Sequence, residues 1–181
     1  IKAVFLDMFG DPVSNPKGIK TFTGRELFHF SSGKFNPSKN LSDQYSYPTY
    51  GGNGITGFSQ KYLIDFSTIV IGRVGAYCGS IHKTSEKSWI TDNAIFINKF
   101  KYRVNLDFLY YMFSFLNFNR FADFSGQPKI TQKPLESTKY IFPDVRDQNK
   151  FSTIVKKNQS LKQKMNAQLK ELENNFQAEL H

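Results

Sequence analysis

Three glycines at residues 52, 54 and 57 have the G-x-G-x-x-G spacing of a dinucleotide-binding loop, within the stretch YPTYGGNGITGFSQKY. Such a loop needs a buried strand before it, a helix after it, and a ribose-binding acid ~20 residues further on. Here Pro48 interrupts the preceding segment, FSQKYLIDF leads into a predicted strand, and no acid lies near position 74. We therefore interpret these glycines as a tight loop whose backbone approaches another group closely.

A second glycine-rich loop, GRVGAYCG at residues 72–79, joins two predicted strands. It lacks the GK[ST] ending of a nucleotide P-loop. Arg73 stands beside glycines, where little side chain obstructs it, so its guanidinium is predicted to reach a phosphate or a guanine edge. The alternative, a solvated surface arginine, stays open at this point.

The residues most often used in catalysis form no recognisable pattern. His29, His82 and His181 have no metal-ligand spacing with Cys78, and Ser80 lies outside a G-x-S-x-G elbow. There is no obvious nuclease carboxylate pair, no N/D-P-P-Y/F signature and no loop typical of S-adenosylmethionine binding. The sequence therefore predicts a binding protein, not an enzyme, with no cofactor and no metal in this chain.

The charge favours a polyanionic partner. The formal net charge is +9, and +7 of it falls on residues 1–150. Nucleic acid and an anionic surface are both consistent with this balance. One cysteine excludes an intrachain disulfide and is compatible with the cytoplasm, where we expect the protein to work. No apolar run approaches the ~20 residues of a membrane span, so no membrane partner is expected.

The C-terminal segment has the pattern of a long amphipathic helix. It contains neither Gly nor Pro, and Asp144 after Pro143 is a plausible N-cap, so a helix over about 145–180 is predicted. Such a helix exceeds what a small domain covers, which favours an arm that pairs with another helix; a helix lying on its own domain is the alternative. The predicted pairing residues are Ile154, Asn158, Leu161, Met165, Leu169, Leu172, Phe176 and Leu180.

The rest of the chain predicts an α+β fold, a mixed globular domain followed by the helical arm. Residues 1–10 read as the end of a helix that stops at Gly10. Strands are predicted over 66–72, 77–83, 90–98 and 139–142 from their β-branched and aromatic content. Asn105 is predicted to cap a largely buried helix, and residues 125–128 to form a loop.

Several segments, in this order, resemble one family. They are AVFLDMFGDPVSNPKG, TYGGNGITG, TIVIGRVGAYCGSIH, WITDNA, SGQPKIT, PLES and FPDVRDQNKF with the helix that follows. The chain resembles a target recognition domain and its conserved helix in the DNA specificity subunits of type I restriction–modification systems. The resemblance implies three parts: the end of a conserved helix at 1–10, a target recognition domain at 11–143, and a conserved helical dimerisation and spacer arm at 144–181.

The resemblance also implies partners. In that family two recognition domains each read one half of a bipartite double-stranded DNA target, and paired helices set the spacing and dock methyltransferase subunits. Those subunits bind S-adenosylmethionine, and restriction subunits add chemistry that uses ATP and Mg. This chain departs by having one domain and one full helix, so it resembles a half subunit that could form a homodimer, or a C-terminal half. PDVRDQNKF also departs from the commoner P-P-L-x-x-Q, although Gln148 is kept.

Specific DNA contacts are predicted on the two glycine loops and nearby. Tyr50, Asn53, Arg73 and Tyr77 are the candidates for reading bases, and Gly52 and Gly75 for close backbone approach. Lys34, Lys83, Gln127 and Lys129 are candidates for phosphate or groove contacts.

Two other functions compete with DNA recognition. The first is a helix-pairing structural or adaptor protein whose basic charge is incidental, and the second is a stand-alone nuclease. A DNA titration at varied salt separates the first from a DNA reader, because phosphate contacts make affinity depend on salt. Metal-dependent cleavage that is lost on changing one carboxylate would be needed to support the second.

Overall fold

A computed structural model describes the backbone of residues 1–179 and the side chains of residues 1–176. Helices and strands are mixed along the chain, which confirms the α+β prediction. The helices are α1 (Lys2–Phe9), α2 (Gly24–Leu27), α3 (Leu106–Phe115), α4 (Gln132–Ser137) and α5 (Val145–Glu179). The strands are β1 (Thr21–Thr23), β2 (Phe28–Ser32), β3 (Tyr47–Gly51), β4 (Gly54–Ser59), β5 (Ile64–Asp65), β6 (Ile69–Gly72), β7 (Ile81–Lys83), β8 (Lys87–Ile90), β9 (Ala94–Phe100) and β10 (Lys139–Ile141).

The strands form two four-stranded sheets and one ribbon. The first sheet has the order β2-β9-β6-β7 and is antiparallel throughout. The second has the order β4-β3-β8-β5, and only its β3–β8 pair is parallel. Strands β1 and β10 pair separately. The turn at residues 91–93 carries the chain from β8 in the second sheet to β9 in the first, so it lies where the sheets meet.

Strand β6 lies between two cores. Ile69 and Ile71 are fully buried in the larger core, which contains the helices, whereas Val70 points into a smaller one with Ile90 and Phe96. Successive strand residues face opposite sides, so a continuous apolar run is what a strand buried on both faces requires. The sequence IVIG therefore fixes β6 as the central wall of the domain.

Aromatic rings join α1 and the arm to the body. Phe5 and Phe9 of α1 lie 5.7 and 5.0 Å from the Phe108 ring of α3, and 5.5 and 5.8 Å from the Phe151 ring of α5, between centroids. All four side chains are at most 2% exposed. Buried aromatic pairs add to the burial of their area, so the first turns of α5 are part of the core.

Polar side chains fix the same junction. Asn105 caps α3, as predicted, by accepting hydrogen bonds from the backbone N–H groups of Asp107 and Phe108. The Gln148 side chain of α5 is fully buried; its Oε1 accepts from the Asn105 backbone N–H at 2.9 Å and its Nε2 donates to the Pro143 carbonyl at 2.8 Å. A buried amide satisfied on both sides holds the two helix starts in one arrangement.

A second polar contact connects α5 to α3 and β7. The Asp107 carboxylate accepts from Lys83 Nζ and from Ser152 Oγ, both at 2.5 Å. Burial alone raises the pKa of the Asp107 carboxyl, but the hydrogen bonds from Lys83 and Ser152 and the lysine charge outweigh burial and hold that pKa below its usual range. The carboxylate is therefore ionised at neutral pH and ties three elements together. We call Lys83, Asp107 and Ser152 the arm clamp.

Beyond Val155, α5 projects from the domain. Every described side chain from Lys156 to Phe176 is exposed. The stripe residues Leu161, Met165, Leu169, Leu172 and Phe176 are 56–66% exposed, and Ile154 is 39% exposed. The alternative of a helix lying on its own domain is therefore wrong for residues 156–176. Asn158 lies on the exposed part of the stripe, and Leu180 lies outside the described residues.

The start of α5 and the end of α1 were predicted correctly, whereas two strands differ. Asp144 accepts from the Arg146 backbone N–H, as an N-cap does, and Gly10 ends α1 with φ of 74°. The strand predicted over 77–83 starts only at Ile81, because residues 75–77 form a 3-10 turn. The strand predicted over 90–98 is broken at residues 91–93, where the Ala94 N–H donates to the Thr91 carbonyl.

The arm clamp predicts a pH-dependent loss of stability on Asp107→Asn. At pH 7 the free energy of unfolding should fall by about 1–2 kcal/mol, because the variant weakens the charge-assisted hydrogen bonds from buried Ser152 and from Lys83, whose own share is reduced by solvent screening. The folded pKa of Asp107 is lowered, so its contribution exists above the unfolded pKa of ~3.9 and is lost as pH falls through the folded value. Urea unfolding at pH 7 and at about pH 3 measures the difference.

The matched control is Asp43→Asn, which neutralises an exposed carboxylate in the loop before β3. This variant should change stability by less than about 0.5 kcal/mol at either pH. A loss for Asp107→Asn that stays the same at both pH values would contradict the assignment of the clamp to an ionised carboxylate.

Candidate nucleic-acid interface

The first glycine loop is the turn of a β-hairpin. Strands β3 and β4 pair antiparallel up to Gly51 and Gly54, which leaves Gly52 and Asn53 as a two-residue turn. Gly54 has φ of +89°, and a Cβ there would lie 3.2 Å from His82 Nδ1. This glycine is therefore required both by its backbone and by its neighbour. No helix follows the loop, so the arrangement lacks the helix N-terminus that binds a dinucleotide phosphate.

The second glycine loop packs against the first, backbone to backbone. A Cβ on Gly72 would lie 2.1 Å from the Tyr77 carbonyl oxygen and 2.7 Å from that of Gly52. Real Cβ atoms do not approach oxygen so closely, so only glycine fits at this position. The contact brings the hairpin turn beside the 3-10 turn at Gly75–Tyr77.

A third segment, residues 123–129, completes the arrangement. Asp123 and Lys129 exchange two backbone hydrogen bonds of 2.9 and 3.2 Å, which close a compact loop. The loop is fixed to the second glycine loop because the Gly75 N–H donates to the Pro128 carbonyl and the Ile130 N–H donates to that of Arg73, both at 2.9 Å. Its Gln127 side chain lies beside Gly75.

These segments enclose an open cleft of about 570 Å³. Together with the hydroxyl groups of Ser38, Thr56 and Thr91, four amide side chains and a tyrosine line it from five separate segments: Asn36, Asn53, Tyr77, Asn93 and Gln127. Amide side chains offer a donor and an acceptor side by side, the pattern that matches an adenine edge. The described residues that line the cleft carry no formal charge. We call this site the amide cleft.

Most of the predicted loop residues meet at the amide cleft. Gly52, Asn53, Gly75, Tyr77 and Gln127 all line it. Two predicted lysines are exposed nearby. Lys129 forms an isolated backbone bridge with Val74 of the second glycine loop, and Lys34 lies two residues before Asn36.

Tyr50 and Lys83, two of the predicted contact residues, do not line the amide cleft. Tyr50 is 5% exposed, packs in the smaller core, and accepts a hydrogen bond from the Ser85 backbone N–H through its hydroxyl. Lys83 pairs with Asp107 in the arm clamp. In both cases a partner within the fold takes up the group that was expected to contact DNA. Sequence spacing alone did not reveal either partner.

Arg73 occupies a neighbouring recess, not the amide cleft. Its side chain is half-buried and lines a small cavity with Ser32 and Gln132, and its guanidinium donates to the Asp92 carbonyl at 3.3 Å. Side chains alternate along an extended chain, so Val74 faces the cleft and Arg73 faces away from it. The solvated-arginine alternative does not describe this half-buried position.

Asn36 and Asn93 were not among the predicted site residues. Asn93 falls inside the predicted strand over 90–98, although Asp-Asn is a frequent turn pair and was the available signal. Its backbone carbonyl also accepts from the Arg73 N–H at 2.9 Å, which fixes the turn beside the second glycine loop. Asn36 follows β2 in a loop with no distinctive composition, so nothing in the sequence marked it.

His82 lies under the hairpin turn, next to Gly54. Burial lowers the pKa of this imidazole, so His82 is neutral at pH 7. The floor beneath the amide cleft thus adds no charge to it. Within residues 1–179, no helix is long and apolar enough to cross a bilayer. Among the side chains of residues 1–176, no group of three or more from His, Cys, Asp or Glu is placed to hold a metal ion.

Comparison with known proteins identifies the family. The model of the type I restriction modification DNA specificity domain matches residues 16–174. The specificity subunit of the type I restriction enzyme EcoprrI from Escherichia coli is 27% identical over 136 residues, which cover 73% of this chain and 34% of that subunit. The chain therefore spans about a third of the length of this curated relative.

Solved structures share the fold. The S subunit of the type I restriction–modification system from M. genitalium aligns with a TM-score of 0.60 and 17% identity over 69% of this chain and 35% of its own. The HsdS subunit from Thermoanaerobacter tengcongensis aligns with a TM-score of 0.61 and 16% identity over 88% of this chain and 42% of its own. Because the family model covers most of the sequence, the chain belongs to the family of type I restriction–modification DNA specificity domains.

Proposed function

We propose that the chain recognises a sequence in double-stranded DNA through the amide cleft and reads one half of a bipartite target. The observation that carries this proposal is the meeting of Asn36, Asn53, Asn93 and Gln127 in one uncharged cleft on a basic domain. Base edges in the major groove are read by such hydrogen-bonding groups, while phosphates are bound by cations around them. The amide cleft matches this arrangement, because its lining is uncharged and the exposed lysines lie outside it.

The hairpin turn at Gly52 and Asn53 is the proposed point at which the backbone comes close to DNA. At Gly52 an added Cβ would lie 3.4 Å from the Asn93 carbonyl oxygen and 3.7 Å from Gly72 Cα, so a glycine keeps the turn small where it packs against its neighbours. The exposed Asn53 side chain therefore projects from a turn whose own bulk is small. Asn53, Gln127 and Tyr77 are the proposed base-reading residues, and Lys34 and Lys129 the proposed phosphate contacts. Arg73 would reach DNA only from the adjacent recess, so we propose a secondary role for it.

The projecting part of α5 supports pairing with another helix. Five large apolar side chains on one stripe are more than half exposed, an arrangement that soluble proteins usually cover. We propose that the stripe pairs with a second conserved helix, either in another copy of this chain or in a longer protein. We also propose that the paired helices dock methyltransferase subunits, with restriction subunits joining the full complex. S-adenosylmethionine, ATP and Mg would then belong to those partners.

The exposed stripe also favours a second candidate function, that of a helix-pairing adaptor with no DNA affinity. The two functions differ in one measurement. The adaptor predicts no salt-dependent DNA binding even in the presence of a methyltransferase subunit. The DNA reader predicts binding whose logarithm falls linearly with the logarithm of the salt concentration.

Asn53→Ala and Lys129→Ala should affect DNA binding differently. Asn53→Ala removes a base contact, so the affinity for the target should fall by about 1–3 kcal/mol and one base position should become less selective. Lys129→Ala removes a phosphate contact, so target and random duplexes should both bind more weakly, and the salt slope should decrease by about 1. Fluorescence anisotropy with the two duplexes at several salt concentrations measures both effects.

The control for this pair is Lys99→Ala, which removes one positive charge from an exposed position on β9 opposite His29 of β2. It leaves the amide cleft unchanged and should retain target selectivity. Equal losses on target and random duplex for Asn53→Ala would contradict a base-reading role for the hairpin turn.

Replacing apolar residues of the stripe with serine should weaken the association of the arm with a second helix, whether that helix belongs to another copy of this chain or to a partner. Leu161→Ser with Leu169→Ser removes two apolar side chains that are both 56% exposed, so the monomeric fold should keep its stability while helix pairing weakens. Gln163→Ser changes the opposite face of the helix and serves as the control. Sedimentation velocity across a concentration series, alone and with the methyltransferase subunit, measures pairing. Unchanged association of the double variant would exclude the stripe as the interface.

A further inference from the structure

Two phenylalanine rings stand out on the surface of the domain. Phe35 is 71% exposed and Phe124 is 62% exposed, and among the described residues before the projecting arm no other large apolar side chain is as exposed. Burying such a ring stabilises a fold, so exposing two of them forgoes a substantial contribution. Exposed rings of this kind usually serve binding.

Both rings lie on segments that line the amide cleft. Phe35 directly precedes Asn36, and Phe124 begins the loop that carries Gln127. These two segments are more than 80 residues apart in the chain and belong to different parts of the fold. Their meeting at one cleft is therefore a property of the tertiary structure, not of a single apolar stretch.

The backbone beneath each ring is held firmly. The Lys34 N–H donates to the Ile90 carbonyl, and the Lys34 carbonyl accepts from Trp89 Nε1, both at 2.9 Å. Next to Phe124, Asp123 exchanges two backbone hydrogen bonds with Lys129 and accepts from the Ser125 N–H at 2.9 Å. Because the backbone next to each ring is already fixed, binding has to order only the rotamer of the ring and not the segment that carries it.

The chemistry of phenylalanine limits what these rings can do at a DNA surface. A phenyl ring has no hydrogen-bonding group, so it reads neither a base edge nor a phosphate. It can lie against a thymine methyl group, or it can enter between two base pairs and take the place of one stacking face. Each ring is exposed on a segment that also contributes a residue to the hydrogen-bonding floor, and a phenyl ring has the shape for the second contact.

We propose that Phe35 and Phe124 insert into the duplex next to the bases contacted by the amide cleft and unstack a base step there. The inference rests on the proposed function, because it requires DNA at the amide cleft. It adds a second source of selectivity: pyrimidine–purine steps unstack most easily, so the domain favours targets that have such a step at the inserted position. The hydrogen-bonding residues then contact a duplex that the inserted rings have deformed, and the cost of this deformation depends on the base step.

The experiment uses the full chain with its methyltransferase subunit and a duplex selected from a random-sequence library by the wild-type complex. 2-Aminopurine replaces single adenines of that duplex in turn, because its fluorescence rises when stacking is lost. The variants are Phe35→Ala, Phe124→Ala and their combination, together with Phe35→Leu, which keeps an apolar side chain. The control is Tyr102→Ala, which removes a 52% exposed ring that packs on Phe22 and Phe142, not on the cleft segments.

The wild-type complex should raise the fluorescence of the probe at one or two positions other than the base that the methyltransferase subunit itself flips out of the stack. The double alanine variant should lose this rise and bind the selected duplex roughly tenfold more weakly, in line with the loss of a base-stacking contact. Phe35→Leu should retain part of both effects, and Tyr102→Ala should leave both unchanged. Circular dichroism of each variant confirms that the fold is retained.

Two results would overturn the insertion while leaving DNA recognition intact. The first is target binding by the wild type without a fluorescence rise at any probe position. The second is an unchanged rise in the double variant together with loss of methyltransferase binding, which would make the rings a protein contact. Absence of duplex binding by the wild-type complex would instead refute the proposed function, and the insertion with it.

Discussion

The candidate site depends on one close contact between backbones. At Gly72 the carbonyl oxygens of Gly52 and Tyr77 lie where a side chain would otherwise begin. The Gly72 N–H donates to the Ser80 carbonyl, and the Gly72 carbonyl accepts from the Gly79 N–H, both at 2.8 Å. The second glycine loop therefore folds back across the end of β6. Any Cβ at this position would push the hairpin turn away from the 3-10 turn and open the amide cleft. Glycine at position 72 is thus the condition for bringing both loops to one surface.

Contacts at the base of the arm fix the direction in which α5 projects. The first turns of α5 are held by the buried rings of Phe108 and Phe151, by Gln148, and by the arm clamp. After Val155 every described side chain of the helix is exposed. A helix of 35 residues extends about 50 Å, so a small rotation at its base moves its far end by many ångströms. The polar contacts restrict that rotation in a way that non-directional apolar packing does not.

The sequence predicted those elements whose signals are local. The cap at Asn105, the end of α1 at Gly10 and the start of α5 at Asp144 each depend on a few adjacent residues, and the structure confirms them. The two glycine loops were also correctly identified as places of close approach. Each loop, however, approaches the other loop. Their contact depends on the pairing of strands β3 and β8, which are distant in the sequence. Long-range pairings leave no periodicity in the sequence, so they were not predicted.

The same distinction explains the misplaced site residues. Tyr50 and Lys83 are ordinary candidates for DNA contact by residue type, but Ser85 and Asp107 meet them only in the folded chain. Asn36 and Asn93 are unremarkable in the sequence and become part of the cleft only because the sheets meet at the turn after β8. Residue type thus narrows the candidates, and tertiary structure decides which of them share a surface.

The architecture separates the residues that shape the cleft from those that would read DNA. Gly54, Gly72 and the central strand β6 are held by backbone geometry or full burial, so they tolerate little change. Asn53 and Gln127 are exposed on turns whose backbone is fixed by other residues, so their replacement should cost little stability. A protein built in this way can acquire a different base preference through substitutions on its turns. The cleft, the basic surface and the direction of the arm would remain as they are.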